Sequence, residues 1–240
     1  MKKIAFLGAP DKSHLLLILG KLLTTMGLKV LLVDSTIGQG VRSYLPDSSY
    51  LAAVYEFKGM DIAYGFITVA QLERQLQPQT TARSYDIMLL DTDHTEFISR
   101  KELLSYDKRV WCSSQWMHHL KRNAELMQRL CLHEVEERPL SFYKMLTQLM
   151  PASITEIYLD ELLDTQHIQW ENPIFRFALD ERNLSVELDN QHHNRIDIRR
   201  ITGSYRRTVL DMVKHLLEWD ERAAQQAWKQ LRKARVRGRY

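Results

Sequence analysis

With 240 residues, 45% of them hydrophobic and 26% charged, and a net charge of +3, the chain has an ordinary soluble globular composition. A chain of this length buries about 70–75% of its unfolded surface, enough for one domain with at most a small appendage. No uninterrupted apolar run reaches the ~18 residues of a membrane span, and the first apolar run leads into Pro10 and Asp11 rather than a signal-peptide cleavage site. Cys112 and Cys131 have neither zinc nor redox spacing, and as buried small hydrophobes they suit a reducing cytoplasm.

In chain order, Ile4 to Leu7 is an apolar run of the kind that forms a strand buried on both faces, and it stops at Gly8-Ala9-Pro10-Asp11-Lys12-Ser13. Ser13 to Met26 is apolar almost all round and predicts a helix buried against a sheet, capped by Asp11 or Ser13 and ended at Gly27. Lys29 to Val33 is a second buried strand ending at Asp34, so the first unit is a parallel crossover. Ligands of such sheets bind beyond the carboxyl ends of the strands, where Gly8 to Ser13, Asp34 and a later aspartate would converge.

Ile37 to Pro46 reads as a loop. Leu51 to Phe57 and Asp61 to Tyr64 predict a small antiparallel extension at the sheet edge, and Val69 to Leu76 an amphipathic helix ended by Pro78. Tyr85 to Asp91 is the next core strand. Asp93 and His94 follow it, but adjacent residues on one chain rarely supply metal geometry. Arg109 to Ser113 predicts a strand and Trp116 to Leu130 a helix, with His118 and His119 at its start and no nucleophile spaced for them. Ser141 to Leu149 reads as the last parallel strand, Pro151 to Leu163 as a helix, Phe175 to Asp180 as a short strand, and Asn183 to Asn194 as an exposed polar loop containing His192 and His193. Tyr205 to Trp219 is an amphipathic helix. The expected class is α/β: a doubly wound, mostly parallel sheet with helices on both faces, over residues 1–227.

Residues 228–240, WKQLRKARVRGRY, hold six basic residues and no acid, so the rest of the chain would carry −3 without them. Such a tail draws anionic surfaces: lipid headgroups, nucleic acid or an acidic partner. Its candidate contacts are Trp228, Lys229, Arg232, Lys233, Arg235, Arg237 and Arg239. At about 1 kcal/mol per basic residue near an anionic surface it would be held loosely. The plainer reading is a solvated tail. No recognition helix or aromatic stacking set accompanies the charge, which argues against sequence-specific nucleic-acid reading.

The strand ends carry a resemblance. Lys12-Ser13 after the first strand, Asp34 closing VLLVD and Asp91 closing YDIMLLD make the chain similar to the ParA/MinD family of deviant Walker ATPases, over nearly its whole length. The resemblance implies a P-loop NTPase fold with Gly8, Lys12, Ser13, Asp34 and Asp91 at the nucleotide-binding positions, ATP as ligand, and Ser13 and Asp91 on magnesium if nucleotide binds. It also implies a switch and dimer surface in Ile37 to Pro46, a base-enclosing role near Phe175 to Asp180, symmetric dimers, and contact with the inner face of the membrane through a C-terminal helix.

The departures from the family pattern are as specific as the matches. GAPDKS is two residues shorter than GKGGVGKT and keeps one glycine, Gly8; Pro10 removes an N–H donor, and Asp11 places a carboxylate where phosphate oxygens would sit. The family's signature lysine falls at or near Ala9, its second aspartate is Thr36, and its glycine-containing switch is Thr92-Asp93-His94. The expectation is a degenerate member without catalytic residues or a resident cofactor, acting in the cytoplasm as a scaffold or positioning factor for protein partners in a bacterial assembly of the CpaE sort, any homodimer being nucleotide-independent. The alternatives are a nucleotide switch with slow hydrolysis, which keeps ATP and magnesium as ligands, and a small-molecule ligase or kinase of the same superfold.

Overall fold

A computed structural model describes residues 1–46, 53–76, 84–132, 139–163 and 168–234. The strands are β1 (Lys2–Leu7), β2 (Val30–Asp34), β3 (Ala53–Phe57), β4 (Met60–Tyr64), β5 (Ile87–Thr92), β6 (Lys108–Ser114), β7 (Ser141–Leu149) and β8 (Gln169–Ala178). They form one sheet in the order β3-β4-β2-β5-β1-β6-β7-β8, parallel throughout except for the β3–β4 pair at one edge. β1 lies at the centre. Ile4 and Phe6 point to one face and Ala5 and Leu7 to the other, all fully buried, which is why the run is apolar without alternation.

Helices α1 (Ser13–Thr25), α7 (Gly203–Leu217) and α8 (Glu221–Lys233) cover the first face, and α2 (Val69–Leu76), α3 (Arg100–Leu103), α4 (Met117–Arg129) and α5 (Glu156–Leu162) the second. α6 (Glu181–His192) packs against a 3-10 turn, Gly40–Tyr44. This is the doubly wound, mostly parallel α/β architecture. Among the described residues no helix is long and apolar enough to cross a membrane.

Three expectations need correction. Asn183 to Asn194 is not a loop: Asp180 accepts hydrogen bonds from the N–H groups of Arg182 and Asn183 and starts α6. The inner side of α6 includes two asparagines, Asn183 bonded to Thr202 and Asn190 to Asp197, so no apolar stripe announces it. β7 is not the last parallel strand, because β8, ten residues long, pairs with it in parallel. The boundary at Trp228 falls inside α8. Trp228 is 2% exposed and packs with Ala224 and Ala227 in the core, Leu231 beside them, on a helical stripe capped by Asp220 that the charge pattern hides. Trp228 therefore touches no anionic surface. Lys229, Arg232 and Lys233 are exposed on the outside of α8, whereas Arg235, Arg237 and Arg239, like Leu51 and Pro78, lie outside the described residues.

Candidate functional site

The loop after β1 leaves the sheet between β5 and β6. Gly8 makes the exit possible: its φ is +129°, and a Cβ there would lie 2.1 Å from the Cys112 carbonyl oxygen. Three of the loop's backbone donors are spent inside the protein. Gly8 N–H donates to Thr92 O (3.1 Å), Ala9 N–H to Asn123 Oδ1 (2.7 Å) and Ser13 N–H to Asp11 Oδ1 (2.8 Å), while Pro10 has none. Asn123, fully buried on α4, also donates to Cys112 O at 2.9 Å and so ties the loop to β6.

Lys12 turns inward. Its ammonium, 2% exposed, donates to Gly8 O (2.7 Å) and Pro10 O (2.8 Å) and lies 2.9 Å from Asp91 Oδ1. The last contact is an ion pair outside hydrogen-bond alignment, and Asp91 Oδ1 has no hydrogen-bond donor among the described residues. Burial alone would lower the Lys12 pKa, but Asp91, Cys112 and Asp11 outweigh it and hold the ammonium above its ordinary value. Burial lifts the Asp91 carboxyl, against the pull of Lys12 and with the push of Asp34. Burial also pushes the Cys112 thiol up, away from nucleophile chemistry.

The β2–β5 register sets Asp34 opposite Asp91. Asp34 is committed to local structure. Its Oδ1 accepts from Thr36 N–H (2.9 Å) and Thr36 Oγ1 (2.6 Å), its Oδ2 from Val41 N–H (3.0 Å), and together these fold the chain back over the site. Gly40 then lies so close that a Cβ on it would meet Ser13 Oγ at 2.5 Å. Ser13 is 3% exposed.

Gly8, Lys12, Ser13, Asp34 and Asp91 are thus brought together at the carboxyl ends of β1, β2 and β5. Asp93 and His94 serve the backbone: Asp93 accepts from Ile37 N–H and pairs with Arg122, and His94 Nε2 meets Ser35 O. No group of three or more His, Cys, Asp or Glu side chains placed to hold a metal ion occurs among the described residues. His118 is exposed. His119 is half-buried, its pKa lowered to about 4 by burial and by His118, and it bonds Ser114 Oγ at 2.7 Å. Ser114 is fully buried and accepts from Trp116 N–H, a turn-capping arrangement. Sequence reasoning missed Asn123 and Gly40. Asn123 stands in line with Leu120, Leu126 and Met127 on the buried side of α4, the one signal that would have marked it.

No family model and no curated protein sequence matches the chain. Solved structures do. A ParA family ATPase from Chlorobium tepidum TLS superposes with a TM-score of 0.60 at 16% identity, covering 89% of this chain and 99% of that one. MinD in a MinC:MinD cell division protein complex from Aquifex aeolicus gives a TM-score of 0.62 at 12% identity, covering 92% and 97%. MinD alone from the same organism gives 0.55 at 12% identity, covering 92% and 98%. The chain has the α/β fold of the ParA/MinD ATPases.

Proposed function

We propose that this ParA/MinD-like chain does not hydrolyse nucleotide and acts as a scaffold or positioning factor in a bacterial assembly of the pilus, secretion, cell-surface or partition kind. One observation carries the reading: the loop lysine is turned into the protein and taken up by two carbonyls and Asp91. A phosphate loop works through inward-facing N–H groups, a free ammonium and a Ser/Thr hydroxyl open to magnesium. Here the Gly8, Ala9 and Ser13 N–H groups are already bonded, and the Gly40 backbone passes so near the Ser13 hydroxyl that no Cβ would fit between them. The residues present do not fit ATP with magnesium.

Function then rests on surfaces. The Aquifex MinD occurs in a complex with MinC, and a protein partner is the corresponding expectation for this chain. Lys229, Arg232 and Lys233 offer α8 to an anionic surface by charge alone, because its apolar side is spent on the core. Such contact weakens with salt. A homodimer would form without nucleotide.

The test is thermal unfolding with ATP, ADP and magnesium. Ligand at ~100 times its dissociation constant adds about 2.7 kcal/mol, roughly 5–11 °C for a chain of this size. No shift at millimolar nucleotide is expected. A saturable rise, lost in Lys12→Ala, would establish the second reading, a nucleotide switch, which the convergence of Lys12, Ser13, Asp34 and Asp91 favours.

A further inference from the structure

We propose that the protein binds a protonated amine or guanidinium carried on an apolar stem, in a cavity walled by the first turn of α1, the ends of β7 and β8, and α6. The cavity encloses about 340 Å³, within the range of small-ligand sites. Leu15, Phe177, Leu184 and Leu188 supply apolar walls, and Leu184 and Leu188, 40% and 56% exposed, leave it open to solvent on the α6 side.

The charge is one-sided. Asp11, Asp180 and Glu187 contribute carboxylates, and among the described residues no lysine or arginine lines the cavity. Lys12, the nearest cation in sequence to Asp11, faces the other way, toward Gly8 O, Pro10 O and Asp91. Asp180 is occupied in capping α6. Asp11 uses Oδ1 on Ser13 N–H, and its Oδ2 has no hydrogen-bond partner among the described residues. Among the described residues Glu187 has only the Tyr44 hydroxyl, at 3.4 Å, and His14 Nδ1, at 3.9 Å. That imidazole is no counter-ion, since burial lowers its pKa to about 4. Burial and the charge of Asp11 hold the Glu187 carboxyl up near 7, the mark of a carboxylate lacking a cation.

The wall itself is strained. Gln148 has a φ of +54°, and the β7–β8 register shifts between Leu146 and Leu149 before Leu179 N–H bonds Leu149 O at 2.9 Å. A phosphate entering here would meet like charge on Asp11 and Glu187. An ammonium or guanidinium would pair with both while its stem lies on the leucines. The proposal rests on the reading above for one point, that no triphosphate occupies the surroundings of Asp11. Two sources share the chemistry: a free diamine, or a lysine or arginine side chain presented by a partner protein.

The experiment uses the full chain in thermal unfolding and titration calorimetry with 1,5-diaminopentane and agmatine, with 1,5-pentanediol as the uncharged analogue, a short Leu-Arg-Leu peptide, and ADP with magnesium. The amines should raise the melting temperature saturably, by several degrees at ~100 times the dissociation constant, and the diol should not. Glu187→Gln should weaken amine binding about tenfold or more, and Asp11→Asn, which keeps an acceptor for Ser13 N–H, serves as the second variant. Tighter binding of the peptide than of either amine assigns the site to a partner's side chain; the reverse order assigns it to a free amine. Failure of all the cations to bind at millimolar concentration, an equal effect of the diol, or unchanged affinity in both variants overturns the proposal. A response to ADP instead overturns the non-nucleotide reading, so the two failures are separable.

Discussion

Replacing Lys12 by methionine separates an internal strut from a phosphate ligand. The substitution keeps most of the stem in a site that is 2% exposed, so little cavity opens, but it removes the ammonium from Gly8 O, Pro10 O and Asp91. Asp91, itself 2% exposed and opposite Asp34, is left without its cation. Removing one partner of a buried ion pair costs about 3–5 kcal/mol, a large share of the ~5–15 kcal/mol that holds a domain together. For a chain of this size that is a fall of roughly 6–20 °C in melting temperature. The loss should shrink as pH falls through about 7, where the buried Asp91 carboxyl takes up a proton, and sooner still without the Lys12 charge that holds its pKa down; Lys12→Met/Asp91→Leu should recover most of it because no lone charge remains. Urea unfolding of wild type and both variants, followed by circular dichroism and tryptophan fluorescence, measures the differences. A Lys12→Met protein within about 1 kcal/mol of wild type would refute the reasoning, the more so if an ATP-induced stabilisation vanished with the lysine.

Gly8→Ala should cost about 4 kcal/mol or more, because its Cβ would sit 2.1 Å from a backbone oxygen that only strand separation can move; an unchanged melt refutes the close approach. Glu187 gives a pH signature. Its folded pKa of about 7 exceeds the ordinary 4.5, so its contribution to stability is complete below 4.5 and is lost as pH rises through 7. After discounting for its 29% exposed side chain, Glu187→Gln should gain about 2 kcal/mol on wild type between pH 5 and pH 8, and parallel curves would contradict it. Trp228→Ala should cost about 3–5 kcal/mol, whereas Arg232→Ala should stay within about 0.5 kcal/mol; equal, small effects would return Trp228 to a solvated tail.

The first crossover was readable because β1, α1 and β2 are buried on all sides and carry no competing pattern. The convergence of Asp34 and Asp91 was readable because parallel strands end on one rim. The loop's departures, Pro10 and Asp11, were visible residue by residue. The direction of Lys12 was not, since it depends on carbonyls that face inward only once Gly8 has turned the chain against β6. Asn123 and Gly40 act across 114 and 27 residues of sequence on Ala9 and Ser13, beyond any local pattern. α6 escaped because hydrogen bonds replace the apolar stripe on part of its inner side. α8 escaped because its basic residues begin where its buried tryptophan lies, so the run of charge masks the helical period.

The packing of α8 on α1 has a consequence for the order in which the chain acquires its structure. α1 is almost wholly apolar, with ten of its thirteen residues buried, and α7 and α8, which share its core cluster, are among the last elements of the chain. A nascent chain therefore carries a sticky, uncovered first helix through most of its synthesis. Such long-range closure is slow and exposes apolar surface to aggregation. Chains stalled or cleaved before Trp228 should be chaperone clients and poor in soluble yield, however complete their sheet.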